Sequence, residues 1–162
     1  MRTKKLGQIL VNDALIILDE AQQSFDRQHW HRKVRKSQEA VELAIKGLLR
    51  WAGIEYSKVH KIGKSFKNSK VLTVLTPEEV QRFAAIADNL ALNRELSFYG
   101  SDDMGAPELF GREAAQKALD ECRLIVGRAE KIVFAEQDSA SLAQDQDKSS
   151  AELKNIQGES NE

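Results

Sequence analysis

A single cysteine, Cys122, excludes an internal disulfide. Its place in an alanine-rich helical pattern marks it as a small buried residue of a protein from a reducing compartment, the cytoplasm. Two prolines and nine glycines in 162 residues put few obstacles in the way of long helices. No apolar run approaches the ~20 residues that cross a bilayer, so no membrane contact is expected. The opening MRTKKLGQILVNDALIILDE is basic and then apolar, as a secretion signal is, but Asp13 interrupts it and no small-residue cleavage site follows. It reads instead as the first helix of the body. Three histidines (29, 31 and 60) are too few, and too poorly accompanied by Cys or carboxylates, to hold a metal ion. Phosphate-cradling glycine loops and the HExxH motif are absent, and Ser37 has no histidine or acid spaced for a triad. No cofactor is expected.

Charge is present in quantity but unevenly placed. The chain as a whole carries −1. Residues 27–70 hold 12 Lys/Arg against three acids, a local +9, whereas residues 71–136 stand at −5 and residues 137–162 at −4. A chain polarised in this way presents one face to an anionic partner or to a complementary protein surface.

The strongest periodic signal is in Lys33–His60. Val34, Val41, Ile45 and Leu48 recur at three- to four-residue steps and predict a helix ending near Ala52, with Gly53 as its left-handed stop. Gln38, Glu42 and Lys46 form a polar row along the flank of that stripe, with Glu42 and Lys46 oriented for an ion pair. A preceding helix is expected over about 3–24, with Leu15–Leu18 apolar all round and therefore contacted from more than one side. Residues 25–32 read as a short connection holding Trp30 and surface histidines. A short buried helix under a basic surface is expected from about Gly63. Thr76, Pro77 and Glu79 spell a capped start for a third long helix, expected to run to about Leu96. Residues 97–110 read as a long loop. Ala115, Ala118, Leu119, Cys122, Ile125, Val126, Ala129 and Val133 set the core face of a fourth long helix ending near Ala135. The polar, acidic segment 137–162 reads as a disordered tail. No alternating strand pattern occurs. The fold class is all-α, an antiparallel four- to five-helix bundle over 1–136.

The segment RKSQEAVELAIKGLLRWAGIEYSKVHKIG, residues 35–63, resembles the signature of the HEPN domain (higher eukaryotes and prokaryotes nucleotide-binding). Ser37-Gln38, Ala40, Glu42, Lys46, the Leu48-Leu49 pair, Gly53 and His60 carry the likeness, and NRELSFYGSDD (93–103) extends it. The resemblance implies a helical bundle that forms homodimers. It also implies action on or binding of RNA or nucleotides, and in some members a nucleotidyltransferase-type partner in a toxin–antitoxin-like pair. Its ribonucleases carry an Arg, four to six residues, then a His. Here Arg94 is followed by Tyr99, Gly100 and Ser101 at that distance, and neither His29, His31 nor His60 has an arginine correctly spaced before it. Without the imidazole the acid–base partner for 2′-hydroxyl attack is missing, and tyrosine, with a pKa near ~10, is a poor replacement.

The sequence therefore points to a non-catalytic module that binds a nucleotide, RNA or a partner protein. Arg35, Lys36, Lys46, Lys58, Lys61 and Lys64 would supply the basic surface, and Arg94 and Tyr99 would line the groove. A ribonuclease with a divergent site, using Arg94 with Tyr99 or His60, is the alternative. A structural module whose acidic fourth helix and tail meet a basic partner is the second.

Overall fold

The computed structural model describes residues 2–56, 62–67 and 73–158, with side chains up to Ala135 apart from those of 65 and 67. Among them are four long helices, α1 (Arg2–Asp26), α2 (Trp30–Trp51), α4 (Pro77–Leu92) and α7 (Arg112–Gly158). Three short ones, α3 (Gly63–Lys67), α5 (Arg94–Tyr99) and α6 (Ala106–Leu109), complete the set. No strand occurs among the described residues. The bundle is all-α, as the sequence pattern requires.

Helix α2 is the axis. It packs along α1 and α7 and touches α4, α5 and α6 as well. The expected stripe of Val34, Val41, Ala44, Ile45, Leu48 and Leu49 is buried. The stop is the expected one: Gly53 has φ +74°, the Gly53 N–H donates to Arg50 O and the Ile54 N–H to Leu49 O. These two bonds satisfy carbonyls that the helix end would otherwise orphan. Helix α2 begins earlier than the sequence suggests, at Trp30. Three residues suffice for the turn from α1, because Gln28 takes φ +60°. Trp30 packs edge-on to Phe25 with ring centroids 5.1 Å apart, which pins the turn.

Helices α1 and α2 approach closely where Gly7 and Gly47 face each other. A Cβ at Gly47 would lie 2.6 Å from Val11 Cγ2 and 3.0 Å from Gly7 O. Helix α4 starts on the expected capping box, with Glu79 N–H donating to Thr76 Oγ1 (3.2 Å) and Thr76 N–H to Glu79 Oε2 (2.9 Å). Glu79 also accepts from Arg128 Nε at 2.8 Å, which ties α4 to α7. That guanidinium holds the Glu79 carboxyl below its ordinary range.

Two boundaries differ from expectation. Helix α4 stops at Leu92 rather than near Leu96, and what reads as one loop over 97–110 contains α5 and α6. Asn93 stays in the right-handed helical region (φ −83°, ψ −3°) while the axis changes direction, so no Gly or Pro marks the break. Helix α7 runs to Gly158, past the Ala135 end set by its apolar stripe. Ala, Gln, Glu, Lys and Leu make up just over half of the extension, and their intrinsic helix propensity favours helix there.

Cys122 is buried, which pushes its thiol up to about 12 and leaves it unreactive near neutrality. Lys33 is the anomaly of the core. It is fully buried, its Nζ has no hydrogen-bond partner, and the ammonium sits 4.6 Å from the Phe25 ring centroid. Burial first, then the Arg123 guanidinium, push it down to about 8, against smaller opposing effects of Cys122, Asp26 and Asp120. A folded pKa below the unfolded 10.5 means that the unfolded chain binds more protons between those values, so stability rises with pH from about 8 to 10.5. Lys33→Met should stabilise the fold at pH 7 by ~1–3 kcal/mol and abolish that rise. Thermal unfolding across pH 7–10 checks this; a lower midpoint for the variant contradicts it.

Candidate functional site

The site is built on one face of α2. Arg35, Gln38, Glu39, Glu42 and Leu43, spaced i, i+3, i+4, i+7 and i+8, line a cleft of about 270 Å³ whose far wall is Arg94 and Phe98 of α5. Helix α5 packs against α2 with Ser97 buried, and the Ser97 hydroxyl is satisfied inside α5 by donating from Oγ to Arg94 O at 2.8 Å. Gly100 ends α5 at φ +78°, and a Cβ there would stand 2.3 Å from Met104 O. Only glycine admits that return, which leaves Phe98 and Tyr99 projecting beside the cleft.

Phe98 organises the charges. The Arg35 guanidinium carbon lies 4.2 Å from the Phe98 ring centroid and that of Arg94 lies 5.4 Å from it. Arg94 reaches the ring from one turn earlier on α5, and Arg35 reaches it across the α2–α5 contact. Among the described residues neither guanidinium has a carboxylate within ion-pair distance. Stacking fixes the guanidinium positions while leaving their N–H edges free to donate.

Below them the cleft floor is neutralised. Gln38 Nε2 donates to Glu42 Oε2 at 2.8 Å and Lys46 Nζ to Glu42 Oε1 at 2.5 Å. The polar row that looks misplaced on a core-facing helix is thus a chain of internal contacts that occupies Glu42, so the cleft charges left are Arg35 and Arg94 against Glu39, whose lysine, Lys36, is shared with Glu20. Cleft carboxylates are confined to Glu39 and Glu42, each beside a lysine, and no imidazole lines the cleft among the described residues. The arrangement can bind an anion by paired, charge-assisted hydrogen bonds.

The residues singled out in the sequence therefore separate. Arg35, Arg94 and Tyr99 come together, with Arg94 and Tyr99 also sharing a second recess of about 340 Å³. Lys46 is tied to Glu42 and also lies 5.9 Å from the Tyr56 ring. Lys36 turns to α1, pairing with Glu20 at 2.5 Å and less closely with Glu39 at 3.6 Å. Lys64 is exposed on α3, apart from the cleft lining. Lys58, His60 and Lys61 lie outside the described residues. Phe98 is the residue that sequence reasoning passes over: its i+4 spacing from Arg94 is visible, but its contact with Arg35 is tertiary.

His31 is lowered from its ordinary value by burial and by the neighbouring Arg35 and Arg32, so it is neutral near pH 7. No group of three or more potential metal ligands converges among the described residues, and no helix there is long and apolar enough to cross a membrane. A groove of about 820 Å³ along α7 mixes Arg82, Arg112 and Lys117 with Glu113, Asp120 and Glu121. Its charges cancel, which argues against a polyanion there. A family model, that of the HEPN domain, matches residues 8–132. No significant match was found among curated proteins or solved structures.

Proposed function

This chain belongs to the HEPN domain family, and from that premise we propose that it is a non-catalytic helical module that binds RNA or a nucleotide in the Arg35–Arg94 cleft. One observation carries the reading: two guanidiniums without carboxylate partners among the described residues stack on a single ring, Phe98, above Glu42, whose charge Lys46 neutralises. Phosphate is the anion that such a paired fork suits. The absence of histidine at the required spacing after Arg94 supports binding rather than cleavage.

The test is titration of an oligoribonucleotide at 50 and 200 mM salt. Affinity falls steeply with salt, because phosphate contacts release counterions. Absence of binding at low salt removes the reading. The divergent ribonuclease, using Arg94 with Tyr99 or His60, has in its favour that Arg94 and Tyr99 share a recess. A cleavage assay in which Arg94→Ala behaves like wild type rejects it.

The module acts as a homodimer in this proposal. Leu6, Ile9 and Ile16 stand 40%, 48% and 59% exposed on α1, as an apolar contact face requires. Ile9→Glu combined with Ile16→Glu is expected to leave a folded monomer by sedimentation. Self-association that weakens with salt instead favours the charge-driven structural module. A nucleotidyltransferase-type partner, as in toxin–antitoxin-like pairs, rests on the family alone; a neighbouring gene of that kind supports it.

A further inference from the structure

We infer that the recess beside the cleft takes an unpaired nucleobase stacked on Tyr99, so that the ligand is single-stranded RNA rather than duplex or phosphate alone. This rests on the polyanion reading above and adds to it the part of the ligand that is not phosphate. Tyr99 is 80% exposed, the most exposed large apolar side chain among the described residues. Its phenol ring has no packing role in the core. Phe98 already carries the Arg35 and Arg94 guanidiniums, which leaves the more exposed Tyr99 as the neighbouring ring with no cation on it among the described residues. Tyr99 lies next to it, with ring centroids 5.8 Å apart, and walls a recess shared with Phe98, Ala91, Arg94 and Glu95.

Electrostatics sorts the two cavities. Glu95 lies one turn before Tyr99 and lines the same recess as an exposed carboxylate. It disfavours phosphate there, while a base edge carrying amino or imino N–H groups can donate to it. The phosphate goes to the Arg35 side and the attached base to the Tyr99 side, with Arg94 and Phe98 common to both linings. Stacking on an exposed aromatic next to a basic groove is how sequence-tolerant single-strand sites work. A duplex keeps its bases stacked internally and cannot use the ring.

The experiment measures fluorescence anisotropy of the full-length protein with three labelled probes: a 12-nucleotide oligoadenylate, a 12-base-pair RNA duplex and a 12-unit abasic ribose-phosphate strand. The expected result is tightest binding of oligoadenylate, at least about fivefold weaker binding after Tyr99→Ala, and little change after Tyr99→Phe. The abasic strand binds wild type and Tyr99→Ala alike. Equal affinity of wild type for all three probes, untouched by Tyr99→Ala, overturns the base site and leaves the phosphate site standing. An equal loss on all three probes makes Tyr99 a scaffold residue and also overturns it. So does a Tyr99→Ala effect on sedimentation but not on RNA, which makes the ring a protein contact. No binding of any probe removes the polyanion reading itself.

Discussion

Arg35→Ala combined with Arg94→Ala is expected to lower affinity for a single-stranded oligoribonucleotide by about 100-fold, with the fold intact. Each guanidinium offers charge-assisted hydrogen bonds of ~1.5–3 kcal/mol, and two lost contacts at the lower limit already amount to roughly two powers of ten. Both side chains stand at the edge of the bundle, so their loss leaves no cavity. The single variants should not add up to the double, because one ring positions both cations. Removing either arginine frees Phe98 to shift and misplaces the other. Phe98→Leu tests this without altering charge: it should weaken binding by several-fold through lost stacking alone. The control is Arg82→Ala with Arg112→Ala in the charge-balanced α7 groove, which removes the same net charge and should cost little. If the control pair loses as much affinity as the cleft pair, binding follows overall charge and not the cleft.

The second large effect concerns stability. Gly47→Ala should destabilise the protein by ~2–3 kcal/mol, although alanine is the better helix former by ~1 kcal/mol. The new methyl carbon would meet Val11 Cγ2 at 2.6 Å, Gly7 O at 3.0 Å and Val11 N at 3.2 Å. Two of these are backbone atoms of α1, and Val11 is a fully buried β-branched side chain with little rotamer freedom. The helices must separate along the most extensive contact of the bundle. Gly127 on α7 provides the opposite case, since nothing lies within 4 Å of the position of its Cβ. Gly127→Ala should stabilise by up to ~1 kcal/mol through helix propensity. Denaturant melts of both variants check the pair; the same sign for both contradicts the packing argument.

Much of the scaffold is legible along the chain because its causes are local. The α2 stripe, the Gly53 stop, the Thr76–Glu79 capping box and the Glu42–Lys46 pair all depend on residues within a few positions of each other. The HEPN likeness over 35–63 begins on that same helix and agrees with the family match over 8–132. What stays hidden depends on contacts between distant residues. The local +9 of residues 27–70 looks like one basic surface, yet Lys33 is buried, Lys36 answers Glu20 on α1, and Lys46 answers Glu42. Phe98 gains its role only when α5 folds back onto Arg35. The break at Asn93 leaves no mark because the residue keeps a helical conformation while the axis turns. The opposition of Gly7 and Gly47 depends on the crossing of α1 over α2, a quantity no single segment contains.

The most direct measurement follows the guanidinium Nε–Hε resonances of the protein by NMR while a 12-nucleotide oligoadenylate is added at low salt. Arg35 and Arg94 should shift together and saturate at one common concentration, while Arg82 and Arg112 stay still. Saturating shifts at Arg82 and Arg112, with Arg35 and Arg94 unmoved, would contradict the account.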